Sequence, residues 1–425
     1  MTDPVPVFRD VVAAHPRCFW LDGGGAREWS GRRSIIGWLD DDDVSLTCDA
    51  ARGEVVRHAS GGSEVVGDDV FAALEDELGS GRPTDQWFGY FGYAARADLP
   101  AYAGSGLPDA VWMRARHVRM FEHPASSTTL PIGHKRQLRD AEIRRLVPNG
   151  DILDPPSDYA EGFAAVQQHL HAGNSYEVNL TYREEQQSDL DPATAYLRLR
   201  ELNPAPYAGF LQHDLPGAQA WLLSSSPERY ALIDADRTIE TKPIKGTTPR
   251  GATPEQDAEL RVRLAQEPKF RAENLMITDL LRNDLSMVCE PGTVEVPALM
   301  SVESYETVHQ LVSTIRGRLR DEVTTVGALR ALFPAGSMTG APKLRTMQII
   351  EQVETSPRGP YAGAFGWVSA DGRADLGVVI RSLMTGGDGR YVLGTGGGLT
   401  VHSDLTDEYA ESRWKADRLR RVFSS

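Results

Sequence analysis

Four glycine and proline residues fall within the eleven-residue stretch Thr241-Lys242-Pro243-Ile244-Lys245-Gly246-Thr247-Thr248-Pro249-Arg250-Gly251. Proline removes a backbone donor and clashes with the preceding helical turn, and glycine weakens a helix, so this stretch cannot be helical. It reads as a shaped strand-to-loop segment, able to hold one side chain at a fixed point. Lys245 is central, between Ile244 and Gly246. Those neighbours predict a partly desolvated ammonium with a lowered pKa and nucleophilic character. A lysine in a glycine- and proline-rich loop is as a rule a solvated surface residue, so the chemistry must be carried by other segments as well.

The first ~145 residues read as many short strands with a few helices, because apolar alternations are separated by turn clusters such as Gly23-Gly24-Gly25 and Gly61-Gly62. The run Asp40 to Asp43 reads as a solvated turn rather than a metal cage. The stretch Trp87-Phe88-Gly89-Tyr90-Phe91-Gly92-Tyr93 reads as a buried strand whose glycines admit close backbone approach. A polar segment from Pro148 to Asp158 marks an expected boundary, dividing a variable N-terminal region, 1–150, from a second unit, 155–425. Beyond it a helix is predicted, with Ser157 or Asp158 as N-cap, Phe163, Val166 and Leu170 on one face, and Gly173 at its end. Strands are predicted at 176–182, 221–225 and 230–233, and a longer helix at 272–283 with Leu275, Ile277, Leu280 and Leu281 apolar. Many strands with separated helices imply an α+β fold with large, mostly antiparallel sheets and helices packed outside.

Composition narrows the function. A formal net charge of −15 in 425 residues, without clustered lysine and arginine, excludes a nucleic-acid binder. An anionic substrate would then need a locally basic site. Three cysteines, Cys18, Cys48 and Cys289, form no CxxC pair and suit a reducing cytoplasm rather than a disulfide framework. The start of the chain lacks the pattern of a signal peptide, and no apolar run reaches the ~18 residues of a membrane span.

Six separated blocks coincide with one family. They are Ser175 to Thr181 (SYEVNLT), Ser226 to Arg229 (SPER), Lys242 to Thr247 (KPIKGT), Arg271 to Met276 (RAENLM) with its extension Asp279 to Asp284, Gly336 to Lys343 (GSMTGAPK), and Gly396-Gly397-Gly398 followed by Glu408-Tyr409-Ala410-Glu411. In this order, from about residue 155 to 425, they resemble the chorismate-utilising enzymes: the anthranilate synthase large subunit, aminodeoxychorismate synthase component I, and the isochorismate and salicylate synthases. The resemblance implies an anthranilate synthase component I-like sandwich.

It also implies roles. One chorismate carboxylate would be bound through Mg²⁺ held by Glu273 and Glu411, with Glu408, one helical turn earlier, behind them or linked through water. The other would be gripped by Arg381, Tyr361, the backbone of a glycine loop at Gly397 and Gly398, and Lys415. Ser337 and Lys343 would be further pocket residues. Glu228 would be the general acid that protonates the departing C4 hydroxyl, which requires a raised pKa.

Three positions select a branch. Anthranilate and isochorismate synthases generally carry alanine where this chain has Lys245, whereas a lysine there resembles the aminodeoxychorismate synthase pattern. In that pattern the lysine attacks C2 and ammonia then displaces it at C4. Isochorismate and salicylate synthases carry a water-activating lysine where this chain has Glu177. Anthranilate synthases carry a histidine, tied to pyruvate elimination, where this chain has Gln310, with His309 displaced by one residue. The resemblance therefore implies a C4 amination dependent on a separate glutamine amidotransferase and followed by a lyase giving 4-aminobenzoate, a folate precursor. Amination at C2 and an inactive chorismate- or tryptophan-binding regulatory subunit are the alternatives. Thr248 and Phe270 depart from familiar patterns, and Phe19-Trp20-Leu21-Asp22-Gly23 lacks the serine of a tryptophan-binding element.

Overall fold

Phe19 and Trp20 point to opposite faces of the strand Arg17–Asp22, as the two-residue period of an extended chain requires. Both are fully buried. Phe19 stacks on Phe88 of the strand Gln86–Phe91 with ring centroids 4.0 Å apart, while Trp20 meets Phe8 at 4.9 Å and Tyr196 at 5.6 Å. A strand buried on both faces belongs to a sheet covered by another sheet on one side and by helices on the other.

The computed structural model, which describes residues 3–25, 32–123, 154–305 and 308–424, has that architecture. Among the described residues one nine-stranded sheet runs Gly340–Ala341, Glu177–Gln187, Arg390–Leu399, Ser382–Thr385, Ala220–Ser226, Tyr207–His213, Arg17–Asp22, Arg33–Trp38, His117–Glu122. A twelve-stranded sheet runs Ile244–Pro249, Val308–Arg318, Thr238–Lys242, Arg229–Ile233, Ala374–Val378, Ala364–Ser369, Gln86–Phe91, Ala110–Arg114, Ser45–Asp49, Glu54–Ala59, Gly62–Gly67, with Glu295–Ser304 also paired to Val308–Arg318. The pairings within both are antiparallel. The fold is α+β, as the sequence predicts. The inner faces share one apolar core. A second core lies under the helices Pro4–Ala14, Pro192–Leu202 and Leu405–Arg421, and a third under Ser157–His171.

Two strands preceding residue 124 are interior, one in each sheet: Arg17–Asp22 pairs with Tyr207–His213, and Gln86–Phe91 with Ala364–Ser369. The expected boundary segment lies largely outside the described residues. The helix predicted after it spans Ser157–His171 and buries Phe163, Val166 and Leu170, with Gly173 just beyond at φ 72°. Its cap differs from expectation: Pro156 holds the N-cap position, and Asp158 accepts from the Tyr159 amide instead. The second predicted helix is longer, Pro268–Ser286, and Leu275 faces solvent. The aspartate run forms a turn engaged by Arg116 and His117. All three cysteines are buried and free, and no described helix is long and apolar enough to cross a membrane.

Candidate active site

The backbone around Lys245 is a strand–break–strand rather than a strand and loop: Pro243 separates Thr238–Lys242 from Ile244–Pro249. In the pairing with Val308–Arg318, Ile244 faces Val312 and Thr247 faces Gln310, so the Lys245 strand carries one residue more than its partner. Such a bulge bends a strand and re-aims a side chain. Gly246 makes it possible, with φ 92° and a hydrogen where a β-carbon would stand 2.9 Å from the Phe270 ring.

The bulge directs Lys245 inward, where Nζ donates to Glu177 Oε1. Both side chains are largely buried. Here the structure corrects the sequence expectation. Burial alone would lower the lysine pKa, but Glu177, Glu273 and Glu228 outweigh it and push Lys245 up to about 12. The resting side chain is an ammonium.

Gly398 explains why the pair fits. A β-carbon there would stand 2.1 Å from Glu177 Oε1 and 2.9 Å from Lys245 Nζ. The expected glycine loop is in fact the end of the strand Arg390–Leu399, with Gly397 opposite Leu180 and Gly398 opposite Asn179. Gly397 lies beside Glu408 and Lys415.

Glu228 lies where the chain passes from Ala220–Ser226 of one sheet to Arg229–Ile233 of the other, and is 5% exposed. Burial pushes its carboxyl up to about 7, against the opposing pull of the Ser337 hydroxyl and the Lys245 charge. Its pKa thus moves in the direction a general acid needs.

Three glutamates come from two helices. Glu273, on Pro268–Ser286, is pushed up to about 7 by burial and by the charges of Glu177 and Glu411, and its Oε1 is buried without a hydrogen-bond partner. Glu411, on Leu405–Arg421, lies 2.8 Å from Lys415, which first among its neighbours holds it down at about 2. Glu408 accepts from Lys269 at 3.0 Å and Ser403 at 2.7 Å. These three do not form a closed cage: among the described residues the acidic group with all oxygens within 4.8 Å of one another is Asp40, Asp42 and Asp43. An unpartnered carboxylate oxygen and a half-exposed ionised glutamate are a donor set that fits a hard cation keeping most of its water.

Arg381 has φ 52°, donates to the Lys415 carbonyl at 3.2 Å and lies 5.7 Å from the Trp414 ring centre. Burial draws it down to about 10, still charged at neutral pH. Tyr361 is packed between Gly394, where a β-carbon would stand 2.3 Å from the ring, and the Arg183 guanidinium, 5.0 Å from its centre. Lys415 also donates to the Gly396 carbonyl at 3.0 Å. Lys343, expected as a pocket residue, donates to Asp284 at 2.6 Å and to the Leu332 carbonyl at 2.7 Å.

His309 and Gln310 are consecutive in one strand and so face opposite sides. His309 is bonded to Asp257 at 3.0 Å and Ser304 at 2.8 Å, while Gln310 stands opposite Thr247.

Sequence reasoning missed two groups. Lys269, four residues before Glu273, was signalled by helical spacing. Arg358 donates to Glu354, to the Met338 carbonyl at 2.6 Å and to the Asn179 carbonyl at 2.8 Å, tying the Ser337 turn to the Glu177 strand. Its i,i+4 relation to Glu354 was readable; its reach across the fold was not.

Residues 17–421 match the family model described as chorismate binding enzyme. An aminodeoxychorismate synthase of Streptomyces pristinaespiralis is 40% identical over 97% of this chain and 63% of that protein. The aminodeoxychorismate synthase component 1 of Escherichia coli strain K12 is 42% identical over 61% of this chain and 56% of that protein. The chain thus spans less than two thirds of the length of either relative. The crystal structure of anthranilate synthase component I from Streptococcus pneumoniae has the same fold, with a TM-score of 0.73 and 24% identity over 93% of each chain. The chain belongs to the chorismate binding enzyme family.

Proposed function

We propose that this chain is an aminodeoxychorismate synthase, which aminates chorismate at C4 through a covalent intermediate on Lys245. The observation that carries the reading is the buried Lys245–Glu177 pair, whose lysine charge acts on a Glu228 carboxyl that burial pushes up to about 7.

Arg381, Tyr361, the backbone at Gly397 and Gly398, and Lys415 hold one substrate carboxylate. Glu273 and Glu411 would hold Mg²⁺, with Glu408 behind them, and the ion would supply positive charge to the other carboxylate. Lys245 is protonated at rest, so it passes a proton to Glu177 before its amine bonds to C2. The electron pair shifts through the ring, the C4–O bond breaks, and Glu228 protonates the hydroxyl so that water leaves. Ammonia bonds to C4, Glu228 recovers a proton, and Lys245 departs from C2 as the amine. The enolpyruvyl group is retained. A separate glutamine amidotransferase would supply the ammonia, and a lyase would consume the product to give 4-aminobenzoate in the cytoplasm.

Incubation with chorismate, Mg²⁺ and an ammonium salt, with mass spectrometry and NMR of the product, tests the reading; an amino group at C2 would overturn it. A Glu411→Gln or Glu273→Gln variant is expected to lose metal-dependent chorismate binding by calorimetry. Unchanged binding in both would move the metal elsewhere.

Loss of pyruvate would need a base at the position of Gln310, and an amide is none at neutral pH. His309 is on the other face, held by Asp257 and Ser304. A lactate dehydrogenase-coupled assay is therefore expected to report essentially no pyruvate, and stoichiometric pyruvate would restore the anthranilate synthase reading.

A further inference from the structure

Two acceptor oxygens on one strand face have no hydrogen-bond partner: Glu177 Oε2 and Asn179 Oδ1. The side chains are two residues apart in Glu177–Gln187 and therefore share a face. Both are buried, at 1% and 6% exposure. The Asn179 amide cannot be turned to relieve its oxygen, because its Nδ2 donates to the Ser337 carbonyl at 2.8 Å. Glu177 Oε1 is already engaged by Lys245.

The surroundings close a ring. Asn179 leads to Ser337, whose hydroxyl lies beside Glu228, and Glu228 lies in the field of Lys245, which is bonded to Glu177. Ser337 Oγ is itself buried without a hydrogen bond of ordinary geometry. A buried acceptor left unpaired costs about 1–3 kcal/mol, so a ring with such oxygens favours a ligand that brings donors. Glu228, beside Ser337, is left as a carboxylate once it has given its proton to the departing hydroxyl, and this favours a cation over a neutral donor.

We propose that Glu177 Oε2 and Asn179 Oδ1, with Ser337 Oγ at the edge, form the binding site for the nitrogen nucleophile, taken up as ammonium. Ammonium has four donors and no acceptor, which complements acceptors without offering them anything they cannot use. The site adjoins Glu228, so nitrogen held there enters where the C4 hydroxyl departs. Deprotonation gives the attacking ammonia: one N–H proton passes to Glu228, ionised by the departure of water, and the freed lone pair bonds to C4. The inference rests on the C4-amination reading and adds the location of its second substrate.

The test separates the two half-reactions. Chorismate without ammonia loads Lys245, read by intact mass, and ammonium chloride then discharges the adduct. In Asn179→Leu, the ammonium concentration for half-maximal discharge is expected to rise about tenfold or more, the loss of one good hydrogen bond to a charged group. The chorismate concentration for half-maximal loading should change less than about threefold, within the ordinary spread of a non-contacting substitution. Asn179→Asp, which keeps an acceptor, should need no more ammonium than the unsubstituted chain. A merely structural Asn179, acting through the Ser337 turn, would raise both requirements together in both variants. That result, or an unchanged ammonium requirement in Asn179→Leu, overturns the site. If Asn179→Leu does not fold, an Asn179→Asp chain that needs about tenfold more ammonium, with chorismate loading unchanged, likewise overturns it. Failure of the unsubstituted chain to form any adduct would instead overturn the covalent reading on which the site rests.

Discussion

Replacing Lys245 by alanine is expected to lower C4 amination by roughly three orders of magnitude or more, because it removes the nucleophile rather than weakening a contact. Chorismate without ammonia should add to the unsubstituted chain the mass of chorismate less one water, and leave the variant unmodified. The lysine also has an electrostatic role, since its charge pulls down Glu228 and Glu273. Lys245→Arg separates the two. Arginine keeps the positive charge among the same carboxylates but stays protonated and cannot attack. It should match alanine in rate. An arginine variant with substantial amination would show that charge alone suffices and that no covalent bond forms.

Glu228→Gln carries the second large effect, a loss of roughly 10²–10⁴ in rate, the usual yield of a positioned general acid. Its pH dependence gives a sharper reading. The acid works while protonated, so kcat/KM of the unsubstituted chain should decline as pH rises through about 7. The glutamine variant should lack that limb. Glu273 titrates in the same range when free of metal, but there the ionised form is the useful one, so its limb rises with pH. Raising Mg²⁺ should shift the Glu273 limb to lower pH and leave the Glu228 limb in place. A descending limb that follows Mg²⁺, or persists in Glu228→Gln, would assign the acid elsewhere.

The sequence carried the strands and helices because their apolar periods are local. Phe163, Val166 and Leu170 share a helical face whatever they pack against, and Trp87 to Phe91 is a strand on its own evidence. The motifs singled out Glu228, Glu273 and Glu411 as candidates. What escaped the sequence was pairing at a distance. The Lys245 pKa goes up rather than down because Glu177, 68 residues earlier, is brought against it. Its immediate neighbours, Ile244 and Gly246, say nothing of that. The Lys343 motif likewise gives no sign that Asp284, 59 residues earlier, takes its ammonium. The glycine run at 396–398 was read as a loop because glycines usually break strands, and it is a strand because Glu177 and Lys245 need the room.

The placement of Arg17–Asp22 bears on how the chain is made. Its hydrogen-bonded neighbour on one side, Tyr207–His213, lies some 190 residues later, and Gln86–Phe91 waits still longer for Ala364–Ser369. Pairings so remote in sequence form slowly, since the loop must close before any contact rewards it. During synthesis Trp20 therefore leaves the ribosome well before Tyr196, and Trp87 well before the strand Ala364–Ser369. Transiently exposed apolar strands of this kind are where aggregation during translation is expected to begin.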